Sequence, residues 1–244
     1  MIVFVHGVPE TASLWDKVRS HVDADSMALM LPGFGCPRPD GFAATKDDYV
    51  EWLVAELDKF DEPVDLVGHD WGAGFTYRVA TAHGHNLHSW VVDSLNGMMP
   101  DYEWHDFAKI WQTPGEGETF WTDMLALSVD ERAATLEPFA VPHDDAIDMA
   151  LAADETMAAC ILDLYRSAVP NTYGDWADSM HPTAAPGLVL LATDDPFGNE
   201  AASRRGAKTL GAQVQVLEGV GHWWAFQKPA EAASILTSFI SSVR

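Results

Sequence analysis

Short apolar runs that alternate with helical patterns limit most strongly how this chain can fold. The runs typical of buried strands occupy residues 1–7, 26–35, 64–68, 87–95, 187–193 and 212–219. Helical patterns lie at about 45–60, 71–82, 200–210 and 230–243. Thr45 and Asp48 have the spacing of a capping box, which predicts that the first of these helices begins there. Strands that alternate with helices predict an α/β fold, in which helices cover both faces of a parallel sheet.

The segment between about Pro100 and Pro186 breaks this alternation, because it contains no convincing strand. Its aromatic residues lie among helical patterns: Trp104, Phe107, Trp111, Phe120, Trp121, Tyr165, Tyr173 and Trp176. An aromatic-rich helical insertion between two strands predicts a lid over a substrate pocket, although we expect most of these rings to attach the lid to the core. We therefore expect a core of residues 1–98 and 186–244, with a helical cap of residues 99–185.

The charge balance restricts the partners of this protein. Among its 244 residues, 14 are basic and 37 are acidic, so the formal net charge is −23. Nucleic acid and anionic membranes would repel such a surface, and we expect neither as a partner. Cys36 and Cys160 are too few for a disulfide framework and lack the spacing of metal ligands. Met1 leads into an apolar strand without a basic leader, and no apolar run approaches the roughly 18 residues of a membrane span, so we expect a cytoplasmic protein.

The pentapeptide Gly68-His69-Asp70-Trp71-Gly72 follows an apolar strand and precedes a helix. It matches the strand–turn–helix setting of the G-x-S-x-G elbow, with aspartate in place of the serine nucleophile. The two glycines allow a turn so tight that the central side chain projects from the end of the sheet. The adjacent helix N-terminus favours an ionised carboxylate at that position. Because G-x-D-x-G also occurs in ordinary turns, the pattern needs support from elsewhere in the chain.

Two further motifs supply that support. His222 lies between the last strand and the last helix, and Asp195 lies directly after the preceding strand. Asp70, Asp195 and His222 therefore follow the chain order nucleophile, acid, histidine of one class of hydrolase triads. Asp194 and Asp93, which ends the fourth strand, remain open as alternative acids.

An aspartate nucleophile restricts the kind of carbon that is attacked. Attack on an ester would form an anhydride, with no gain over direct hydrolysis. Attack on a saturated carbon forms a stable alkyl ester of Asp70, which water can cleave in a second step. The residues therefore indicate an epoxide or an alkyl halide as substrate, with His222, oriented by Asp195, activating the water.

Five segments give the chain a resemblance to a known family. HGVPE (6–10) is similar to an H-G-x-P oxyanion loop, GHDWG to a nucleophile elbow and GHWW (221–224) to a histidine motif. FAKIWQTPGEGE (107–118) and LDLYRSAVPNTYGDW (162–176) are similar to the two lid motifs of epoxide hydrolases. The whole chain resembles the α/β-hydrolase superfamily, and within it the branch that contains epoxide hydrolases and haloalkane dehalogenases.

This resemblance implies an α/β-hydrolase fold with a helical cap inserted after the sixth strand of the family's numbering. The chain begins almost at the strand of the H-G-x-P loop, so we expect the family's leading hairpin to be shortened. The resemblance also implies that the backbone N–H groups of Val8 and Trp71 form an oxyanion hole, and that a cis bond precedes Pro9. It assigns to Tyr165 the protonation of the opening epoxide.

The resemblance also implies a set of substrate-binding residues in and near these motifs. We expect His105, Phe107, Trp111 and Trp223 to line the pocket. Epoxide hydrolases usually have a first lid tyrosine four residues before the aromatic-Gln pair of the first motif, and here that position is Phe107. Tyr165 would then donate a proton alone, or with a substitute such as His105 or Tyr102.

The leaving group separates the two candidate substrates. An opening epoxide needs a proton from an acidic hydroxyl, whereas a halide needs only N–H donors. Val8 offers no side-chain donor, but Trp71 and the lid tryptophans keep the dehalogenase alternative open. We predict an epoxide hydrolase that converts a small apolar epoxide and water into a vicinal diol. The alternative is a haloalkane dehalogenase that releases halide and alcohol.

An alternative of a different class is a non-catalytic binding protein with the same fold, and the three filled triad positions argue against it. No dinucleotide fingerprint appears, and the histidines at 83, 85 and 88 lack an accompanying pattern of acidic or cysteine ligands. We therefore expect neither an organic cofactor nor a metal.

Overall fold

Six strands pair in one parallel sheet, in the order β2-β1-β3-β4-β5-β6. The strands are β1 Ile2–Val5, β2 Ser26–Leu29, β3 Val64–Gly68, β4 Leu87–Val92, β5 Gly187–Ala192 and β6 Gln213–Leu217. The computed structural model describes residues 1–176 and 180–244, except for the side chains of His85, Tyr173 and Asp175. The side chain of Tyr173, one of the aromatic residues predicted for the lid, therefore lies outside the described part.

Helices occupy most of the connections between these strands. The α-helices are α1 Asp16–Arg19, α2 Lys46–Leu57, α3 Trp71–Ala82, α4 Asp106–Gln112, α5 Glu116–Ala126, α6 Val129–Ala134, α7 His143–Ala152, α8 Glu155–Arg166, α9 Tyr173–Trp176, α10 Glu200–Leu210, α11 Trp224–Gln227 and α12 Pro229–Ser242. Short 3-10 helices lie at Ala12–Trp15, Gly84–Asn86, Leu95–Met98 and Glu137–Phe139. None of the described helices is both long and apolar enough to cross a membrane.

Successive residues of β1 face two separate hydrophobic cores. Val3 packs in the core that contains Phe75 of α3. Phe4 packs in the other core, with Leu236 of α12. Because successive side chains of a strand point to opposite faces, helices cover both faces of the sheet. This arrangement confirms the predicted α/β fold class.

Helix α2 begins where the sequence predicts. The Thr45 hydroxyl accepts the backbone N–H of Asp48 at 3.2 Å, and the Asp48 carboxylate accepts the backbone N–H of Thr45 at 3.0 Å. These reciprocal bonds satisfy two donors that the helix itself leaves unpaired. The capping box read from the sequence is confirmed.

Strands β2 and β4 end several residues earlier than predicted, because the chain leaves the sheet beyond each of them. Beyond Leu29 the chain leaves the sheet, and the backbone N–H of Leu31 donates to Nε2 of His6 at 3.1 Å. Beyond Val92 the chain turns through Ser94, whose φ of 43° lies in the left-handed region. Leu31, Phe34 and Leu95, which follow these strands, are buried outside the sheet, so hydropathy alone overestimates the strand lengths.

All six strands run in the same direction, so their carboxyl ends lie at one edge of the sheet. Gly7 follows β1, Asp70 follows β3, Asp93 follows β4, Asp195 follows β5 and His222 follows β6. Open parallel sheets bind their ligands at this edge. The fold therefore gathers the predicted site residues of the core at one end of the molecule.

The segment between β4 and β5 contains helices α4 to α9 and, in the part the structure describes, no strand, as predicted. Two hydrogen bonds attach it to the first turn of α2. The hydroxyl of Ser167 accepts the backbone N–H of Lys46 at 2.9 Å, and the carboxylate of Asp47 accepts the indole N–H of Trp176 at 2.9 Å. The end of this inserted segment is therefore tied to the core beside the sheet.

Candidate active site

Asp70 stands in a tight elbow between β3 and α3. Its φ of 51° and ψ of −119° are unfavourable for a residue with a side chain, at about 1–3 kcal/mol. A side chain at Gly68 would collide with the backbone of Gly72, and one at Gly72 would collide with the carbonyl oxygens of Val5 and His6. The two glycines therefore permit the close packing that holds the aspartate in this conformation.

The Asp70 carboxylate faces the loop that follows β1. The backbone N–H of Val8 donates to its Oδ1 at 3.0 Å. A side chain at Gly7 would collide with the same carboxylate, so the loop can approach only because that position is glycine. The Val8–Pro9 bond is cis, which confirms the prediction for this loop. One carboxylate oxygen is thus bound to the loop, and the side chain remains 21% exposed.

His222 connects Asp70 with Asp195. Its Nδ1 lies 3.1 Å from Oδ2 of Asp195, and its Nε2 lies 3.7 Å from Oδ2 of Asp70. Because a carboxylate only accepts hydrogen bonds, Nδ1 carries a proton and Nε2 faces Asp70. Burial favours the neutral ring, but the two carboxylates outweigh burial and raise the pKa of His222 to about 10. The neighbouring carboxylates therefore favour the protonated, positively charged form of His222.

The other two acids considered from the sequence are engaged elsewhere. Asp194 is exposed and accepts the hydroxyl of Thr193 at 3.1 Å. Asp93 accepts the backbone N–H of Asp70 at 2.9 Å and the indole N–H of Trp224 at 2.6 Å. Asp195 is therefore the acid that bonds to His222, whereas Asp93 secures the backbone of the elbow.

Two buried residues close to His222 were not singled out from the sequence. His69 is paired through Nδ1 with Asp93 at 2.5 Å, and Glu10 accepts the indole N–H of Trp223 at 2.6 Å. Glu10, His69 and His222 each offer an atom of a metal-binding type, and these atoms lie within 4.8 Å of one another. Glu10 and Trp223 are 213 residues apart, so no spacing pattern could have revealed this cluster.

His6 is hydrogen-bonded to the loop that follows β1 and to the segment that follows β2. Its Nδ1 lies 2.8 Å from the carbonyl oxygen of Gly7, and its Nε2 accepts the backbone N–H of Leu31 at 3.1 Å. Burial lowers the pKa of His6 to about 4, so the ring is neutral and can accept that bond. The first residue of the H-G-x-P motif is thus hydrogen-bonded to both segments and connects them.

A cavity of about 380 Å³ opens beside Asp70, between the core and the inserted segment. The predicted site residues that line it are Val8, Asp70, Trp71, His105, Phe107, Trp111, Tyr165, His222 and Trp223. Asp195 lies outside this lining and reaches the cavity through His222. Further aromatic rings, among them Trp104, Phe120 and Phe139, complete the wall. A mostly aromatic wall around one carboxylate suits a small apolar ligand that carries one reactive polar group.

Two tyrosines of the inserted segment line this cavity. Tyr165 is buried, and its ring lies 5.3 Å from the ring of Trp71, the residue after Asp70. Burial, reinforced by the charge of Asp70, raises the pKa of Tyr165 well above its usual value. Burial and the charges of Asp70 and Asp195 raise the pKa of Tyr102 in the same way. Both phenols are therefore protonated at neutral pH, and the charge of Asp70 contributes to the raised pKa of each.

His105 and Phe107 lie at the start of α4, on another part of the wall. Nδ1 of His105 accepts the backbone N–H of Ala108 at 3.2 Å and so caps the helix. Burial lowers the pKa of His105, and the neutral ring then carries its proton on Nε2. Phe107 is 39% exposed and stacks near Trp111, with ring centroids 6.2 Å apart. The position where a first lid tyrosine was expected therefore supplies only apolar surface.

The fold and the elbow define a hydrolase of the α/β class, and comparison with known proteins agrees. A profile of the alpha/beta hydrolase family matches residues 2–235. The chain belongs to the alpha/beta hydrolase family. A curated relative, a coelenterazine h 2-monooxygenase of Renilla reniformis, is 28% identical over 161 residues, or 57% of this chain and 51% of that protein. The chain thus spans about half the length of this curated relative.

Solved structures of the same fold include both enzyme classes indicated by the motifs. An epoxide hydrolase of Vigna radiata superposes with a TM-score of 0.80 at 19% identity, over 99% of this chain and 90% of that one. A haloalkane dehalogenase loop variant of Bradyrhizobium elkanii superposes with a TM-score of 0.70 at 20% identity, over 99% and 89%. A thioesterase domain of the curacin biosynthetic pathway gives 0.71 at 15% identity, over 97% and 90%. These similarities confirm the predicted fold and leave the substrate to be argued from the site.

Proposed function

We propose that this protein is an epoxide hydrolase that opens a small apolar epoxide to a vicinal diol through an ester of Asp70. The observation that carries this proposal is the buried phenol of Tyr165, which lines the same cavity as Asp70. A carboxylate nucleophile requires a saturated, activated carbon, and a protonated phenol serves a leaving group that needs a proton. Residues 99–185 form the cap that closes this cavity.

In the first step, one oxygen of Asp70 attacks an epoxide carbon, and the carbon–oxygen bond of the ring breaks. The ring oxygen takes the phenol proton of Tyr165, so that a neutral alcohol forms instead of an alkoxide. Burial and the charge of Asp70 raise the pKa of Tyr165, so the phenol is already protonated when the substrate binds. The product of the step is a hydroxyalkyl ester of Asp70.

In the second step, water attacks the carbonyl carbon of that ester and gives a proton to His222. Esterification removes the charge of Asp70, one of the causes that raise the pKa of His222, so the imidazolium gives its proton to the phenolate left on Tyr165 and becomes a base. Asp195 orients the ring and stabilises the imidazolium that forms. The N–H groups of Val8 and Trp71 stabilise the oxyanion, and the leaving alkyl oxygen takes the proton from His222 to complete the diol. The second proton of the water passes from the new carboxyl group of Asp70 to His222, which restores the carboxylate and the imidazolium.

Tyr102 is the second proton donor and replaces the missing tyrosine at Phe107. Burial and the charges of Asp70 and Asp195 raise the pKa of its hydroxyl, and its side chain lines the cavity. His105 is the weaker candidate, because its Nδ1 caps α4 and a neutral imidazole N–H is less acidic than a phenol. The two phenols thus come from the beginning of the inserted segment and from α8.

A haloalkane dehalogenase is the second candidate, and the lid tryptophans favour it. The indole N–H groups of Trp111 and Trp121 are buried without a hydrogen-bond partner among the described residues, and both side chains line the cavity. A departing halide needs only such N–H donors. The same Asp70 ester and the same His222 would serve this reaction.

Release of product from two substrate panels tests the proposal. We expect diol from small terminal or aryl epoxides, and loss of that activity in Tyr165→Phe. Thr172→Val is a matched control, since Thr172 also lines the cavity and is buried, but its hydroxyl donates to the carbonyl oxygen of Gly97. Halide release from haloalkanes without diol from any epoxide would identify a dehalogenase instead.

A further inference from the structure

Two tryptophans of the cavity wall have buried indole N–H groups without a hydrogen-bond partner among the described residues. They are Trp111, in the last turn of α4, and Trp121, in α5. Trp104 lines the same cavity, but its indole N–H donates to the carbonyl oxygen of Ala168 at 3.1 Å. Trp15, whose N–H also lacks a partner, is packed in the core and is not part of this wall. Because a buried indole N–H usually has an acceptor, the two in the wall call for one from a bound molecule.

Ring contacts show where these indoles lie along the wall. The ring of Trp71, next to the nucleophile, has its centroid 5.3 Å from that of Tyr165. The centroid of Tyr165 is 4.9 Å from that of Trp111, which is 5.9 Å from that of Trp121. In the part of the chain that the structure describes, the ring of Trp71 contacts neither indole. In this series of contacts the two indoles therefore follow the proton donor, beside a part of the substrate beyond its reacting carbon.

Packing among α4, α5 and α8 fixes the two indoles. The side-chain amide of Gln112 donates to the carbonyl oxygen of Tyr165 at 3.2 Å, which ties α4 to α8. A side chain at Gly117 would come within 2.9 Å of the carbonyl oxygen of Trp111, so glycine allows α5 to approach the end of α4. The rings of Trp111 and Trp121 are nearly parallel, at 27°. Donors that are held in place before a ligand binds lower the entropic cost of binding it.

The charges around the cavity select a neutral acceptor. The described residues that line it include no lysine or arginine, and they do include the carboxylate of Asp70. An anionic group would therefore be repelled by Asp70 and would be buried without a counter-charge. A cationic group has no lone pair to accept an N–H. An ether or carbonyl oxygen accepts the bond and carries no net charge.

We propose that Trp111 and Trp121 form a subsite for a neutral oxygen acceptor, so that the substrate is an epoxide with an ether or carbonyl oxygen a few bonds from its ring. This inference rests on the proposed function, because it names the class of epoxide that the site takes. The subsite takes part in neither chemical step and holds the substrate with its ring oxygen towards Tyr165. A hydrocarbon epoxide of the same shape leaves both N–H groups unpaired and is the poorer substrate.

Benzyl glycidyl ether and 5-phenyl-1,2-epoxypentane test this specificity, because they differ only by an ether oxygen in place of a CH₂ group. A wall without donors prefers the hydrocarbon chain, since an ether oxygen loses its hydrogen bonds to water on burial. We expect kcat/KM for diol formation to be higher for the ether, by about 2- to 12-fold for each hydrogen bond. A ratio of one or less in the wild-type protein overturns the inference.

Trp111→Phe and Trp121→Phe remove the N–H groups and keep an aromatic ring at each position. We expect each variant to lower the preference for the ether, and the double variant to abolish or reverse it. Trp104→Phe is the matched control, because its N–H is already bonded to Ala168. In that variant both rates can fall, but their ratio should stay at the wild-type value. A ratio that is unchanged in both Trp111→Phe and Trp121→Phe overturns the inference.

Binding of the product diols separates this inference from the proposed function. 3-Benzyloxypropane-1,2-diol and 5-phenylpentane-1,2-diol carry the same two chains and have no epoxide to open, so titration calorimetry measures the preference without turnover. Tighter binding of the ether diol that is lost in Trp111→Phe and Trp121→Phe, but kept in Trp104→Phe, supports the subsite. Equal affinities, or no binding of either diol, overturn it even if epoxides are hydrolysed.

A failure of the proposed function gives a different result. In that case no epoxide yields a diol, whatever the diols show in calorimetry. Halide release from haloalkanes that is lost in Trp111→Phe and Trp121→Phe would assign both N–H groups to the leaving halide. That result overturns the oxygen subsite together with the epoxide hydrolase.

Discussion

The backbone N–H of Val8 donates a 3.0 Å hydrogen bond to Oδ1 of Asp70, 62 residues away in the chain. In the proposed reaction, that oxygen becomes the carbonyl oxygen of the ester when the other oxygen attacks the substrate. The donor that holds the resting carboxylate is then already in position when negative charge develops during hydrolysis. In this proposal, one contact between the loops after β1 and β3 preorganises both the nucleophile and the oxyanion donor.

His222→Gln should trap the covalent intermediate. Asp70 is free to attack in this variant, but the base that activates water is gone. We expect the intact mass to increase by the mass of the epoxide, on the peptide that contains Asp70. Asp70→Ala is the control, and it should bind substrate without any change in mass. An unchanged mass of the His222 variant during turnover would exclude the two-step mechanism.

Asp195→Asn should slow ester hydrolysis by about 10³- to 10⁴-fold, as loss of the acid does in serine hydrolases. Alkylation should suffer much less, so that rapid-quench measurements record a burst of one equivalent per site. Asp194→Asn is a closely matched control, because Asp194 is the exposed neighbour in the chain. A normal rate in Asp195→Asn with an inactive Asp194→Asn would reassign the acid.

Tyr165→Phe should abolish opening of epoxides, because an unprotonated alkoxide is a very poor leaving group. Tyr102→Phe should slow alkylation by up to about 10²- to 10³-fold, the usual effect of removing one donor to a developing oxyanion. Phe107→Tyr should restore the more usual donor and speed alkylation. Stopped-flow quenching of tryptophan fluorescence, with Trp71 next to the nucleophile, measures all three.

Haloalkane turnover supplies the control for the tyrosine variants. A halide leaves without a proton, so any such activity should be nearly unaffected by Tyr165→Phe. Full epoxide opening in both Tyr165→Phe and Tyr102→Phe would leave His105 as the proton donor. The assignment of the second lid motif would then be wrong.

Stability should fall as pH rises, and His222 should account for part of this change. The pKa of His222 is raised from 6.5 to about 10, so the folded state holds this proton more tightly than the unfolded state. The stabilisation is complete below pH 6.5 and is lost as pH rises towards 10. Urea unfolding of the wild type and of His222→Gln at several pH values measures it. A difference between the two that does not vary over this range would contradict the shift.

Asp70 should be a site where function opposes stability. Glycine relieves a φ of 51°, whereas alanine keeps the strain, so Asp70→Gly should be about 1 kcal/mol more stable than Asp70→Ala. Thermal or urea unfolding compares the two variants. At Asp195, which is not among the residues with positive φ, glycine should instead be the less stable replacement. The same order at both positions would mean that the elbow is relaxed.

The order of elements and the position of the site are readable from the chain itself. Hydrophobic runs separated by helical patterns require a parallel sheet, and such a sheet brings the carboxyl ends of its strands to one edge. Asp70, Asp195 and His222 each follow a strand, so their approximate meeting place is determined by local sequence. The glycines of the elbow and the capping box of Thr45 are equally local, and the structure has them where the sequence predicts.

Only the tertiary structure decides which side chains bond to one another at that edge. Asp195 and Asp93 both follow strands, but only the tertiary structure shows that Asp195 is hydrogen-bonded to His222 and Asp93 to His69. Glu10 joins the cluster through a bond to Trp223, 213 residues further along the chain. Hydrogen bonds require agreement within a few tenths of an ångström, and this precision arises only when strands, loops and the inserted helices pack together. The sequence therefore determines which groups come near the site, and the packing determines the role that each can take.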